Sequence, residues 1–226
     1  MDCILLIDKP SGMSSAKVVA LVKRKTGSKV GHTGTLDPLA TGLLILLTGK
    51  RTKQASQFLH MDKTYAVRAR FGVTTTTYDV AGDVVKTCDR VVTREEVEAA
   101  LQDFLGEILQ TPPAYSAKKL GGKKAYELAR KGLDVEIPAA TVKVYSLRLS
   151  SFAYPAFSLE CDVSSGFYVR SLVHDLGEKL GVGATVEEVR RLRIGAFSLE
   201  RAIPLDAFLG ATDVPSVEGP KPGLQG

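Results

Sequence analysis

Asp37 stands in the segment Gly31-His32-Thr33-Gly34-Thr35-Leu36-Asp37-Pro38-Leu39-Ala40-Thr41-Gly42. Glycines at both ends and in the middle let the backbone approach a ligand closely. The Asp-Pro step fixes a turn at the acid. A carboxylate placed there can act as a nucleophile or stabilise a developing charge. The plainer alternative is a turn or N-cap aspartate with Pro38 at the first helical position. From these residues alone both readings stay open.

Other chemistries find little support. His32, His60 and His174 lie far apart and in no metal-ligand spacing, and no Cys-x-x-Cys occurs. Gly49-Lys50 is followed by Arg51 rather than Ser or Thr, so no nucleotide-binding P-loop is formed. Gly181-Val182-Gly183 lacks the third glycine of a dinucleotide fold, and no Gly-x-Ser-x-Gly elbow is present. No metal and no cofactor are expected. Any reaction must run on side chains.

Charge points to a polyanion. The chain has 226 residues and a formal net charge of +5, but the charge is uneven. Residues 1–60 hold nine Lys or Arg against three Asp and no Glu, a net +6. Residues 116–131 hold Lys118, Lys119, Lys123, Lys124, Arg130 and Lys131 against Glu127. Two basic regions on an otherwise acidic chain suit nucleic acid, although solvated helix faces would look the same. Cys3, Cys88 and Cys161 are odd in number and dispersed, as expected for small buried thiols in a reducing compartment. The sequence has no apolar run long enough for a membrane helix and no signal-peptide pattern. A cytoplasmic monomer with no membrane contact is expected.

The positioning elements can be read from periodicity. Ile4 to Leu6 reads as a buried strand. Ser14 or Ser15 caps a helix through Lys25, stopped by Gly27. Residues 31–42 form a loop, and Leu43 to Leu47 a buried strand. Lys63 to Phe71 alternates as a half-buried strand carrying Tyr65. Thr93 and Glu96 form the capping box of a helix reaching Leu105. Ala125 to Lys131 reads as a helix stopped by Gly132. Val142 to Phe152 and Phe157 to Val163 form a strand pair, and Tyr168 to Leu180 a helix. Val186 to Leu192 reads as a further short helix, and Ile194 to Leu199 as a last strand. The fold class is α+β, a mixed and mostly antiparallel central sheet flanked by helices. Residues 1–210 form the main domain, with an insert at about 107–140 by the family comparison that follows; residues 211–226 read as a Pro/Gly-rich flexible tail.

Several segments together resemble one family. The segment around Asp37 resembles the active-site motif of the tRNA pseudouridine-55 synthases, the TruB family. Leu6-Ile7-Asp8-Lys9-Pro10-Ser11-Gly12-Met13-Ser14-Ser15 resembles its first motif, and Lys63-Thr64-Tyr65 its second. Gly72, Thr75, Thr77, Asp79 and Gly82 match a downstream signature. Pro112 to Lys119, then Gly122 and Ala125 to Arg130, match its insert. Ser165 to Leu172 with Asp175-Leu176-Gly177 resembles the third motif, and Arg190-Arg191-Leu192-Arg193 closes the match. Ala139-Ala140-Thr141 stand where the family often carries a basic residue. The resemblance is to a short form without the family's C-terminal RNA-binding domain.

The resemblance implies a pseudouridine-synthase-like fold with a thumb-like RNA-binding insert. It implies isomerisation of uridine 55 in the tRNA T-loop, with the base flipped out and no cofactor. Asp37 matches the catalytic aspartate, and Arg170 the arginine that pairs with it and keeps it charged. Tyr65 matches the tyrosine stacked on the flipped base, the candidate to take the carbon-5 proton. Tyr168 and Val189 match further pocket contacts, the latter where the family often has leucine. His32 matches the histidine that fills the space the base leaves. Lys9 and Pro10 support the pocket, and Lys118 and Lys119 belong to the clamp on T-stem phosphates. Two rivals remain: a tRNA-binding chaperone without turnover, and a hydrolase or transferase using Asp37 on a small molecule.

Overall fold

Ser14 starts the first helix: its hydroxyl accepts a hydrogen bond from the Lys17 N–H. Gly27 ends that helix at φ 64°, the left-handed conformation a glycine adopts without strain. Between these caps the helix buries Val18 and Val22.

The computed structural model describes residues 2–116, 118–120, 122–129 and 137–212. The chain opens with β1 (Ile4–Lys9), α1 (Ser15–Thr26), β2 (Val30–His32), β3 (Thr41–Thr48) and α2 (Ala55–Leu59). Next come β4 (Lys63–Phe71), β5 (Val73–Thr75), β6 (Val84–Thr87), α3 (Arg94–Leu101) and β7 (Gly106–Gln110). The insert contributes β8 (Lys119–Leu120), β9 (Lys123–Lys124) and α4 (Ala125–Ala129). Then follow β10 (Ala140–Ala153), β11 (Ala156–Val163), α5 (Val169–Lys179) and β12 (Ala184–Ile194). Last are β13 (Phe197–Ser198), β14 (Ile203–Pro204) and α6 (Leu205–Gly210). Among the described residues no helix is long and apolar enough to cross a membrane.

Two units emerge. The first comprises Met1–Tyr65 with Arg190–Gly226, and the second Ala66–Val189. In the first, β1 pairs antiparallel with β3 from Ile4↔Leu47 to Lys9↔Gly42. β14 runs parallel to β1, and β12 parallel to β3 at Arg190↔Thr41 and Arg191↔Gly42. Alternate strand residues Ile4, Leu6, Leu43, Ile45 and Leu47 form one core with Phe58, Ile194 and Phe197. In the second unit the strand order is β4-β11-β10-β7. β10 pairs antiparallel with both β11 and β7, and Phe71 stacks on Phe157 at 4.1 Å between ring centroids.

Several expectations need correction. Val186 to Leu192 is not a helix but the middle of β12. Val186, Val189 and Leu192 mimic helical spacing. In the strand Val189 and Arg191 are buried while Glu188 and Arg190 are exposed. Because one inward residue is an arginine, the two-residue period did not show as hydrophobicity. Ile194 to Leu199 is a hairpin, not one strand: Ile194 faces Phe197 across Gly195 and Ala196. The helix after Thr93 is α-helical only to Leu101 and continues as a 3₁₀ turn at Gln102–Phe104. Only Cys161 is buried; Cys3 and Cys88 are half-buried, and none of the three is in a disulfide. Arg130, Lys131, Gly132 and the tail beyond residue 212 lie outside the described residues. The expected loop 31–42 is shorter, since β2 reaches His32 and β3 begins at Thr41, and the strands β2, β5, β6, β7, β8, β9 and β14 and the helices α2 and α6 were not expected from the sequence.

Candidate active site

Asp37 is half-buried in an irregular stretch between β2 and β3. No helix begins at Pro38, so Asp37 is not an N-cap. Its carbonyl accepts from Ala40 N–H at 3.1 Å, closing a turn. The backbone on both sides is fastened. The Ser15 hydroxyl accepts from Leu36 N–H at 2.9 Å and donates to Leu36 O at 3.0 Å. Gly12 N–H donates to Pro38 O at 2.8 Å, and the Ser11 hydroxyl to Leu39 O at 3.1 Å. Thr33 N–H reaches Ile45 O at 3.1 Å. The cap of α1 thus doubles as a holder of the loop: Ser14 starts the helix, and the next residue grips Leu36.

Buried cations add to that grip. Lys9 is 0% exposed, and its ammonium donates to Pro10 O, Met13 O and Pro38 O at 2.8, 2.5 and 3.3 Å. Burial pushes its pKa down from 10.5 to about 8; the Asp37 carboxylate opposes the shift and the Arg191 guanidinium adds to it. Lys63 is also buried and donates to Leu59 O and Met61 O at 2.7 and 2.5 Å. Its pKa falls to about 8 as well, through burial first and then Arg191, against Asp62. Tyr65, two residues on, is half-buried on β4. Its neighbour Thr64 accepts from Arg193 Nε at 2.9 Å. His32 accepts from Gly34 N–H on Nδ1 at 3.3 Å, so that nitrogen is unprotonated in this arrangement.

The second unit holds Arg170, Tyr168, Val189, Lys118 and Lys119. Arg170 lies in the first turn of α5 and donates to Thr77 O and Tyr115 O, each at 2.9 Å. Its Nε lies 3.7 Å from Asp79 Oδ2. The other Asp79 oxygen accepts from the Thr77 hydroxyl at 2.6 Å and Ala81 N–H at 3.0 Å. Between Thr77 and Asp79, Tyr78 takes φ 62°, uncommon outside glycine, and its ring stacks on His174 at 3.7 Å. That bend lets a carbonyl and a carboxylate two residues apart reach one guanidinium. Tyr168 precedes α5, and its backbone N–H and C=O are bonded by the Gln110 side chain at 2.7 and 3.1 Å. Val189 is buried on β12. Lys118 donates to Pro138 O at 2.8 Å, and Lys119 faces Lys124 across the β8–β9 pair.

Arg191, Lys63, Gln110 and Asp79 hold these segments in place, roles that their sequence positions do not announce. Asp79 had a signal, since it sits in the quoted downstream signature. Arg191 and Lys63 also stand in quoted motifs, but nothing in the sequence marks either side chain as buried, because a buried cation inside a strand looks like surface.

The comparisons agree with one another. The N-terminal domain of the TruB family of pseudouridylate synthases matches residues 21–169, and the tRNA pseudouridylate synthase B C-terminal domain matches residues 170–214. The chain is 49% identical over 214 residues to tRNA pseudouridine synthase B of Aquifex aeolicus, covering 93% of this chain and 75% of that protein. It is 48% identical over 204 residues to the Chlamydia abortus protein of the same name, covering 88% and 86%. Among solved structures, a Cbf5-Nop10-Gar1 complex matches with a TM-score of 0.72 at 30% identity, over 92% of this chain and 53% of that chain. An H/ACA RNP bound to a substrate RNA containing 2'-deoxyuridine matches at 0.68 and 28%, over 92% and 52%. The chain spans about half the length of those solved chains. Matched across residues 21–214 and close to half identical to these relatives, the chain belongs to the TruB family of pseudouridylate synthases.

Proposed function

We propose that this protein isomerises uridine 55 in the T-loop of tRNA to pseudouridine, with Asp37 as its catalytic carboxylate. The observation that carries the reading is the Asp37 loop, whose backbone is bonded on both sides of the acid by Ser11, Ser15, Lys9 and Arg191. An acid on so constrained a segment is presented in one place.

The reaction breaks the bond from base N1 to ribose C1′, turns the base, and joins C5 to C1′. The C5 proton leaves and N1 gains one, so no electrons are exchanged with an outside partner. Asp37 assists the departure or recapture of the base at the ribose. Arg170, already oriented by Asp79, Thr77 and Tyr115, supplies the positive charge that favours the ionised acid. Tyr65 stacks on the flipped uracil and accepts the C5 proton, while Tyr168 and Val189 line the base. His32 occupies the place the base vacates. Lys118, Lys119 and the other insert lysines grip T-stem phosphates. A second set of cations supports an RNA substrate. Lys17, Lys23, Arg24, Lys29, Lys50 and Lys53 are exposed, and none makes an ion pair among the described residues.

Tritium release from tRNA labelled at uridine C5, with mapping of the product position, tests the proposal. Asp37→Asn is expected to fold, bind a T-stem-loop hairpin, and release no tritium. Normal release by that variant would remove Asp37 from the chemistry. Product at another position would leave the chemistry and change the substrate site.

A further inference from the structure

Arg191 is the bulkiest fully buried side chain among the described residues, at 1% exposure. No carboxylate among them lies within ion-pair reach of it. Every hydrogen bond of its guanidinium ends on a backbone oxygen: Nε on Leu43 O at 2.8 Å, Nη2 on Gly34 O at 3.1 Å, Nη1 on Thr35 O at 3.5 Å. Gly34 and Thr35 precede Asp37, and Leu43 follows it. One planar fork therefore joins the two ends of the segment that carries the acid.

The main chain of the same residue completes the grip. Arg191 pairs with Gly42 in the parallel register of β12 on β3. Gly42 has φ 98°, and a Cβ there would lie 2.4 Å from Arg191 O, so this approach requires glycine. Lys9 meets the loop from the other strand of the same unit, at Pro38 O. Arg191 acts electrostatically on Lys9 and Lys63, two further buried cations of the same unit. A buried charge without a counter-ion is a liability for stability. Its retention is explained if the donors serve the loop.

We propose that Arg191 is a positioning residue for Asp37: it fixes both ends of the loop so that the carboxyl is held in one place, and it does not itself touch the RNA. The proposal rests on the reading of Asp37 as the catalytic carboxylate. A lysine in its place keeps the charge but cannot span three carbonyls in fixed geometry. A misplaced acid slows the chemical step while leaving the RNA-contacting surface as it was.

The test uses the full chain with Arg191→Lys and Arg191→Met. Hairpin RNA affinity, single-turnover tritium release and amide hydrogen exchange are measured on each. For Arg191→Lys, hairpin affinity is expected within about threefold of the parent, with release roughly tenfold or more slower. Amides of residues 34–43 should exchange faster while those of β10 and β11 are unchanged. Arg191→Met should be slower again; if it does not fold, Arg191→Lys decides alone. Parental release together with parental exchange of the loop in Arg191→Lys would overturn the proposal. So would a loss of hairpin affinity that accounts for the whole loss of rate. If Asp37→Asn still turns over, the reading of the site fails, yet the exchange of residues 34–43 still shows whether Arg191 holds them.

Discussion

The Nε of Arg170 lies 3.7 Å from the Asp79 carboxylate, with the two side chains only 7% and 8% exposed. Removing one member of a buried pair strands the other charge, at about 3–5 kcal/mol. Asp79→Ala is therefore expected to lower unfolding free energy by that order, because it also frees the Thr77 hydroxyl and Ala81 N–H. Asp79→Asn removes the same charge but keeps an oxygen for those donors, so its loss should be smaller than that of Asp79→Ala by about 1–2 kcal/mol. Urea unfolding measures both. Equal losses would mean that charge, not the acceptor network, holds the segment. If Arg170 acts on Asp37, both variants should also lose more activity than their stability loss explains.

Lys9 and Lys63 give alkaline stability a direction. Each has its pKa lowered from 10.5 to about 8, mainly by burial. Between pH 8 and 10.5 the unfolded chain then binds more protons than the folded one. Stability contributed by these groups rises with pH across that window and is flat below it. Comparing Lys9→Met with the parent by urea unfolding at pH 7.5 and pH 10 isolates one of them. The variant should show a smaller gain on raising the pH; an equal gain would place the titration elsewhere.

The exposed cations of α1, of the turn that follows it and of the segment after β3 predict a salt effect. Glutamine at Lys23, Arg24, Lys29 and Lys50 should flatten the plot of log affinity for tRNA against log salt by roughly 3 if each residue meets one phosphate. Glutamine at Lys118, Lys119, Lys123 and Lys124 should do the same for the insert. Full-length tRNA and the isolated hairpin, titrated side by side, show which part of the RNA each set meets. A set whose removal leaves both slopes unchanged makes no phosphate contact.

Much of the scaffold could be read in advance where local chemistry and burial agree. Ser14 and Gly27 bound α1 because caps act over three or four residues. Thr93 and Glu96 form the expected reciprocal box. On β4, Val67, Ala69 and Phe71 are buried while Arg68 and Arg70 are exposed, as their alternation requires. Reading failed where an inward position is charged. Arg191 broke the apolar period of β12 and turned a strand into an apparent helix. The Asp79–Arg170 pair was out of reach for another reason: its partners are 91 positions apart by number, and no local period links them. Asp37 itself stood out through its glycines. The residues that hold its loop come from two stretches, Lys9 to Ser15 before it and Arg191 far beyond it, and no one-dimensional pattern joins them.

The bonds from Arg191 to Gly34 and Leu43 close spans of 157 and 148 residues. On the ribosome the acid is made early and this fastening late. A nascent chain that has emerged as far as α5 already displays Asp37, Tyr65 and Arg170, yet the guanidinium that ties Gly34 to Leu43 is still inside the ribosome. Premature termination after α5 and before Arg191 therefore yields a polypeptide with every proposed catalytic group and a slack loop under the first of them.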